Sequence, residues 1–382
     1  MKKKIITIVG ARPQIIKSSA ISRAISTKFN EQLEEVIVHT GQHYDENMSA
    51  VFFDEMGIPQ PNYNLNVGSG THGAQTAKMI EGLESIFLSE KPNGVLVYGD
   101  TNSTIAGALA AIKIHIPVIH VEAGLRSFNK SMPEEVNRIA CDHMSTLLFT
   151  PTSTGLDNLR REGFSDNSEG KATADHPKVY HCGDIMYDNS LYFSEVSSSK
   201  STILKDLGLT PSSYILSTIH RDSNTDIAEN MEQIFSALFE IQDKTGLAVV
   251  LPIHPRTKSK MKEQLSAELY QKVSTSDKFK IIPPAGFLDI ISLEKSARII
   301  VTDSGGLQKE AFFFKKPCVI LRPQTEWVEI VNNGNALLAD ASKTKILDAF
   351  DTLYAKTDFT YPELYGDGDA ASFICHKILE DL

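Results

Sequence analysis

Short runs of aliphatic residues recur along the chain, separated by longer stretches with helical spacing. IITIV (5–9) leads into PQIIKSSAISRAI, EEVIVHT ends near Thr40, GVLVYG (94–99) precedes TNSTIAGALAAIKIH, and IPVIHVE follows. These runs are continuously apolar rather than alternating, as suits parallel strands buried on both faces. Beyond residue 200 the rhythm returns in YILSTIH (214–220), LAVVLPIH (247–254), FKIIPP, ARIIVTD (298–303) and PCVILR (317–322), with the helical NMEQIFSALFEIQDK among them. This alternation predicts an α/β protein of two Rossmann-like, doubly wound domains facing each other across a cleft. A length of 382 residues agrees, because a single core stops growing near about 250–300 residues. The domains are expected at 1–190 and 191–365. Serine-rich SEVSSSKSTIL (194–204) reads as a linker or surface loop, SDNSEGKATADHP (165–177) as an exposed loop and GSGTHG (68–73) as a flexible one.

Charge narrows the function. Lysine and arginine number 38 against 48 aspartates and glutamates, a net charge of −10 that argues against nucleic-acid partners and against adhesion to an anionic membrane. No uncharged apolar run reaches the about 18 residues of a membrane span, since AGALAAIKIHIPVIHV is broken by Lys113 and His115. The apolar part of MKKKIITIVGARP is too short for a signal peptide. A soluble cytoplasmic protein is expected. Cys141, Cys182, Cys318 and Cys375 lie far apart with no C-x-x-C pair, so buried free thiols are expected rather than a disulfide framework or a zinc site.

Nearly every predicted strand ends in polar or charged residues, which is where sheets of this class bind ligands. In GARPQIIK a strand ends at Val9, Gly10 turns the chain and a helix opens near Pro13. Arg12 would stand at the positive helix N-terminus, suited to a diphosphate or carboxylate, with Lys17 one turn further on. In YGDTNSTIAGALAA, Asp100 ends a strand and Thr101 to Thr104 open a helix, a longer polar run than capping needs. In HVEAGLRSFNKSMPEEVNRIACDH, a period of two places His120 and Glu122 on one strand face, and Glu134 and Arg138 stand four apart on the next helix. Asp100, Glu122 and Glu134 together fit acid/base chemistry, which needs carboxyl groups in contrasting environments.

His220 and Arg221 end a strand in STIHRDSNTD, and His254 and Arg256 repeat the theme in LPIHPRT. In VTDSGGLQKEA a strand ends at Asp303, and Ser304, Gly305 and Gly306 offer backbone N–H groups at a helix start, which cradles phosphate. Glu310 follows on that helix, where it could hold a ribose diol. No Walker A lysine follows these glycines and no G-x-G-x-x-G occurs, so a dinucleotide redox role is disfavoured. Neither H-E-x-x-H, G-x-S-x-G nor a Cys/His ligand spacing occurs, and no metal site is expected.

The ordered series GARPQIIK, GQH, GDTNST, HVEAGLRS, PEEVNR, HR, P-x-H-P and TDSGGLQKEA resembles that of the non-hydrolysing UDP-N-acetylglucosamine 2-epimerases, over roughly residues 5–340. The resemblance implies the GT-B type of fold, with a C-terminal helix, about 366–382 here, returning to the first domain. It implies interconversion of UDP-GlcNAc and UDP-ManNAc through anti elimination of UDP to a 2-acetamidoglucal and re-addition, with no metal or other cofactor, in a homodimer. Matching positions make Lys17, Asp100, Glu122, Glu134, Arg138 and His220 the catalytic set. Arg12, His254, Ser304, Gly305, Gly306 and Glu310 become the UDP-binding set. Gln42, His43, Arg256 and Arg322 are second-site or sugar contacts. HRDSN and TEWVE stand where simpler members have HRRE and TERPE, and the arginine often found after GQH is not evident near GSGTHG. HR-x-x-NTD, P-x-HPRT and LRPQTEWVE look more like the branch acting on UDP-2,3-diacetamido-2,3-dideoxy-glucuronate for surface polysaccharide, in which Arg256 or Arg322 would meet the C6 carboxylate. A GT-B glycosyltransferase, a non-catalytic UDP-sugar-binding protein and a hydrolysing epimerase are the competing readings.

Overall fold

The computed structural model describes residues 2–42, 57–165 and 170–382, so His43 lies outside the described residues. The chain divides into two units, Met1–Asn189 with Glu363–Leu382, and Ser190–Pro362. The first unit holds β1 (Lys3–Val9), β2 (Leu33–His39), β3 (Tyr63–Asn64), β4 (Gly94–Tyr98), β5 (Val118–Val121), β6 (Leu147–Thr150) and β7 (Lys178–His181). They form one parallel sheet in the order β3-β2-β1-β4-β5-β6-β7. The second unit holds β8 (Tyr214–Thr218), β9 (Ala248–Pro252), β10 (Phe279–Ile282), β11 (Ile299–Thr302), β12 (Cys318–Ile320) and β13 (Ala336–Leu338). These are also parallel throughout, in the order β10-β9-β8-β11-β12-β13. Both orders reverse direction beside their first strand, between β1 and β4 and between β8 and β11. Each unit is therefore doubly wound, and each presents a crevice beyond the strand ends at that point.

Burial on both faces explains the continuous apolar runs. Along β1 and β4, Ile5, Leu96 and Tyr98 pack against the helices Arg12–Lys28 and Ala370–Asp381, through Ile21, Ile374 and Ile378. Their neighbours Ile6, Ile8, Val95 and Val97 face the other way, onto Met79, Leu83, Phe87 and Ala106. The C-terminal helix belongs to the first unit. Its N-terminal amides, Ala370 and Ala371, donate to Asp188 at 3.2 and 2.8 Å, and Lys178 pairs with Asp381 at 2.5 Å. In the second unit one core runs from Ile215, Phe235 and Val249 to Val319 and Phe350. All four cysteines are buried and free.

One expectation fails locally, and a second holds only up to residue 71. The serine-rich stretch is largely helical, as the end of the helix Ile185–Lys200, along which the chain passes from one unit into the other. Its hydroxyls bond back to carbonyls three or four residues earlier, Ser194 to Leu191, Ser198 to Ser194 and Ser199 to Val196, so a composition that reads as loop is satisfied inside a helix. The glycine-rich 68–73 leads straight into the helix His72–Glu90, whose first turn is capped by Thr71 accepting from the Ala74 amide. No helix among the described residues is long and apolar enough to cross a membrane.

Candidate active site

In the first unit the chain leaves β1 through Gly10. A Cβ there would stand 2.1 Å from Ser103 Oγ and 2.2 Å from Thr40 Oγ1, so only glycine lets the three segments meet. Buried Gln14 then ties the turn together, accepting from the Gly10 amide at 2.9 Å and donating to the Tyr98 carbonyl at 3.0 Å. Arg12 is exposed at the start of the helix Arg12–Lys28. One turn on, Lys17 pairs with Glu122. Burial pulls the Lys17 ammonium down, but Glu122 and Asp100 outweigh it and raise its pKa above that of a free lysine.

Glu122 is not the strand residue that a period of two suggests. β5 stops at Val121, and Glu122 has φ +71°, a left-handed conformation that costs a non-glycine residue about 1–3 kcal/mol. His120 and Glu122 consequently meet different partners. His120 is wholly buried against Asp142, while the Glu122 carboxylate turns back over Gly99, 3.2 Å from where a Cβ on that glycine would be.

Asp100 follows Gly99 and pairs with Arg138, and its own carbonyl accepts from Asn137 Nδ2 at 2.9 Å. Arg138 reaches Glu135 at 2.8 Å with its other arm. Glu135 is buried and also accepts from the Ser127 and Phe128 amides at 2.9 Å. Burial would raise its carboxyl, but those amides and Arg138 hold it below the ordinary glutamate value. Glu134 stands exposed on the same first turn of the helix Pro133–Met144, so the i, i+3 neighbour rather than Glu134 is the helical partner of Arg138. The polar run after Asp100 is engaged internally. Thr101 and Thr104 form a reciprocal capping box, and Ser103 donates to Gln42 Oε1 at 2.7 Å. That contact leaves Gln42 buried as a clamp between segments. Lys17, Glu122, Asp100 and Arg138 thus form two ion pairs side by side, with balanced charge, at the reversal point of the sheet.

The second unit builds its constellation around Asp303, fully buried at the end of β11. Its carboxylate accepts from the amides of His220 and Arg221 at 3.0 Å each, from Asn224 Nδ2 at 3.1 Å, and stands 2.9 Å from His220 Nδ1. Burial alone would raise this carboxyl, yet His220 and the two amides hold it below the usual aspartate range. The ring of His220 is thereby fixed through Nδ1, with the residue itself exposed. Beside it, Ser304 caps the helix Gly305–Phe313, and Trp327 Nε1 donates to the Gly305 carbonyl at 2.9 Å. Lys309 lies 4.2 Å from the centre of the Trp327 ring. Glu326 packs against Gly305, 2.5 Å from where a Cβ would be, and pairs with Arg322 at 2.9 Å. Glu310 is half-buried on the same helix, and burial together with its charge drives the Glu294 carboxyl well above the normal range.

His254 caps the helix Pro255–Gln264, accepting from the Arg256 amide at 3.4 Å. Arg256 is held by Asp222 at 2.8 Å and Asp226 at 3.0 Å, and Lys260 also pairs with Asp226. The substituted stretches HRDSNTD and HPRTKSK therefore answer each other.

Sequence reasoning overlooked Asp303, Glu135, Gln14 and Asn137. Asp303 stands directly after the apolar strand Ile299–Thr302 and before Ser304, Gly305 and Gly306, a position that could have marked it. Glu135 shares one helix face with Ile139 and Asp142, a spacing that already points a carboxylate inward. Among the described residues no group of three or more His, Cys, Asp or Glu side chains is placed to hold a metal ion.

Known proteins resemble this chain over nearly its whole length. A family model described as UDP-N-acetylglucosamine 2-epimerase matches residues 26–379. The UDP-2,3-diacetamido-2,3-dideoxy-D-glucuronate 2-epimerase of Pseudomonas aeruginosa is 47% identical over 375 residues, 98% of this chain and 99% of that one. The UDP-N-acetylglucosamine 2-epimerase of Methanocaldococcus jannaschii is 42% identical over 355 residues, 92% and 93% of the two chains. The crystal structure of the M. jannaschii UDP-GlcNAc 2-epimerase in complex with UDP-GlcNAc and UDP superimposes with a TM-score of 0.82 at 40% identity, covering 99% of each chain.

Proposed function

This chain belongs to the UDP-N-acetylglucosamine 2-epimerase family, and from that premise we propose that it inverts C2 of a UDP-linked 2-acetamido sugar, interconverting UDP-GlcNAc and UDP-ManNAc. The observation that carries the reading is the pair of constellations at the two sheet-reversal points, one of paired carboxylates and cations, the other a helix N-terminus with a fixed histidine. The second takes the uridine diphosphate. Ser304, Gly305 and Gly306 point amides and the helix dipole at phosphate, Glu310 takes the ribose, and His220, with Arg12, meets the charge that grows on the leaving group.

The first constellation takes the sugar. One carboxylate removes the C2 proton while the C1–O bond to the diphosphate breaks. Electrons from the C2–H bond form the C1–C2 double bond, and UDP leaves with the C1–O pair. UDP then adds back to C1, and a second acid returns a proton to C2 from the opposite face. Asp100, Glu122 and Glu134 supply the acid, the base and the negative charge that steadies C1. Lys17 and Arg138 pair with two of these carboxylates and orient them.

A second substrate has support of its own in the 47% identity to the diacetamido-glucuronate enzyme. In that reading Arg322, beside Gly305, meets the C6 carboxylate rather than Arg256, whose guanidinium already has two carboxylate partners. The reading includes a cytoplasmic enzyme and a homodimer, the latter tested by light scattering after gel filtration.

Proton NMR in D₂O, with UDP-GlcNAc in one tube and the diacetamido-glucuronate nucleotide in another, tests the function. Deuterium at C2 with a manno product in the first tube supports the simple epimerase, and exchange confined to the second supports the uronate branch. Binding without exchange in either overturns both.

A further inference from the structure

Asp100 and Glu122 stand on two separate turns, which must keep a fixed spacing for their side chains to address one carbon. Behind both turns lies a buried charged cluster that the reaction does not use. His120, fully buried on β5, has Nδ1 2.7 Å from Asp142 Oδ1 and Nε2 2.8 Å from the carbonyl of Gly99, the residue before Asp100. Asp142, also fully buried, accepts through Oδ2 from the Gly124 amide at 3.1 Å, two residues past Glu122, and pairs with Arg126 at 2.7 Å. Arg126 is in turn gripped by Glu162 at 2.7 Å. With two further donors on Asp142, that carboxylate is ionised. Each ring nitrogen of His120 faces an acceptor, so both carry protons and both donate. Burial alone would strip the ring of charge, but Cys141 and Asp142 beside it more than reverse this.

We propose that His120 is a positioning residue for Asp100. Its ring, anchored through Asp142, holds the Gly99 carbonyl and so fixes the turn from which Asp100 projects, while the same Asp142 holds the turn after Glu122. One clamp sets the spacing of the two carboxylates. The inference rests on the reading that Asp100 takes part in the chemistry. A displacement of about 1 Å at such a group costs about 100-fold in rate.

Two substitutions separate the clamp from mere core filling. His120→Gln keeps an amide N–H where Nε2 was and retains the bond to Gly99, whereas His120→Asn keeps one where Nδ1 was and retains only Asp142. Both remove the ring and the charge. The Asn variant is expected to lose about 100-fold in kcat for C2 exchange with KM and UDP affinity unchanged, and the Gln variant less than tenfold. Equal losses, or losses that fall on KM, overturn the inference. If the Asn variant does not fold, the Gln variant decides alone, and a hundredfold loss in its kcat at normal UDP affinity overturns it. Asp100→Asn runs beside them. Should it keep full exchange, the role of Asp100 falls and the clamp's purpose with it. Should it lose exchange while the two His120 variants match, only the inference falls.

Discussion

The two units share a topology but arm it differently. At the reversal point of the first sheet stand charged side chains, Lys17 on Glu122 and Arg138 on Asp100, each charge held by its opposite. At the same point of the second sheet the polar groups are mostly backbone, the start of the helix Gly305–Phe313 capped by Ser304 and the strand-end turn at His220 ordered around buried Asp303. Side-chain charges can exchange protons, while fixed amides can only hold an anion. The first arrangement suits a site where bonds to hydrogen are made and broken, the second a site that grips a leaving group without changing state.

That division has consequences of decreasing size. Replacing Glu122 by Gln should cut C2 exchange by about 10²–10⁴-fold and leave UDP affinity within twofold. A calorimetric titration showing UDP binding lost along with turnover would break the distinction. Asp303→Ala should do the reverse of this in part, weakening UDP binding and lowering stability by about 1–3 kcal/mol, because several buried donors lose their acceptor. Its pH sign is fixed too. The folded-state pKa of Asp303 is depressed, so its stabilising effect is full above the unfolded value near about 4 and is lost as pH falls through the lower folded value. Melts of wild type and variant should therefore converge in acid. Trp327→Phe removes the bond to the Gly305 carbonyl and should weaken UDP binding about fivefold at constant kcat, as isothermal titration would read. Smallest of all, Arg256→Ala should change turnover of a C6-carboxylate substrate by less than about twofold, since an exposed ion pair contributes little. A selective loss of that substrate in a competition assay would return Arg256 to the sugar site.

Much of this was legible in the chain. The apolar strands announced themselves by the polar residues at their ends, which is why the positions of Asp100 after a strand and of Ser304 at a helix start could be read directly. Three strands stayed unread. LLFT, KVYH and ALL are no shorter than IIVT and CVI, but carry at most one β-branched residue each and so lack the strand signal. Pairings were equally hidden, because Asp303 reaches His220 across 83 residues and Asp100 reaches Arg138 across 38. A period of two also misled at Glu122, where the backbone leaves the strand one residue early under the pull of tertiary partners.

The return of the last helix to the first unit has a consequence for synthesis. Ile374 and Ile378 complete the core beside Ile5 and Tyr98, yet they follow the whole second unit along the chain. At about 5–20 residues per second, the first unit's strands wait roughly 10–40 s for that helix, while the whole second unit emerges and can close. A nascent chain therefore finishes its middle before its beginning. A message cut short after residue 362 yields a first unit with an open apolar face, a ready client for chaperones and proteases.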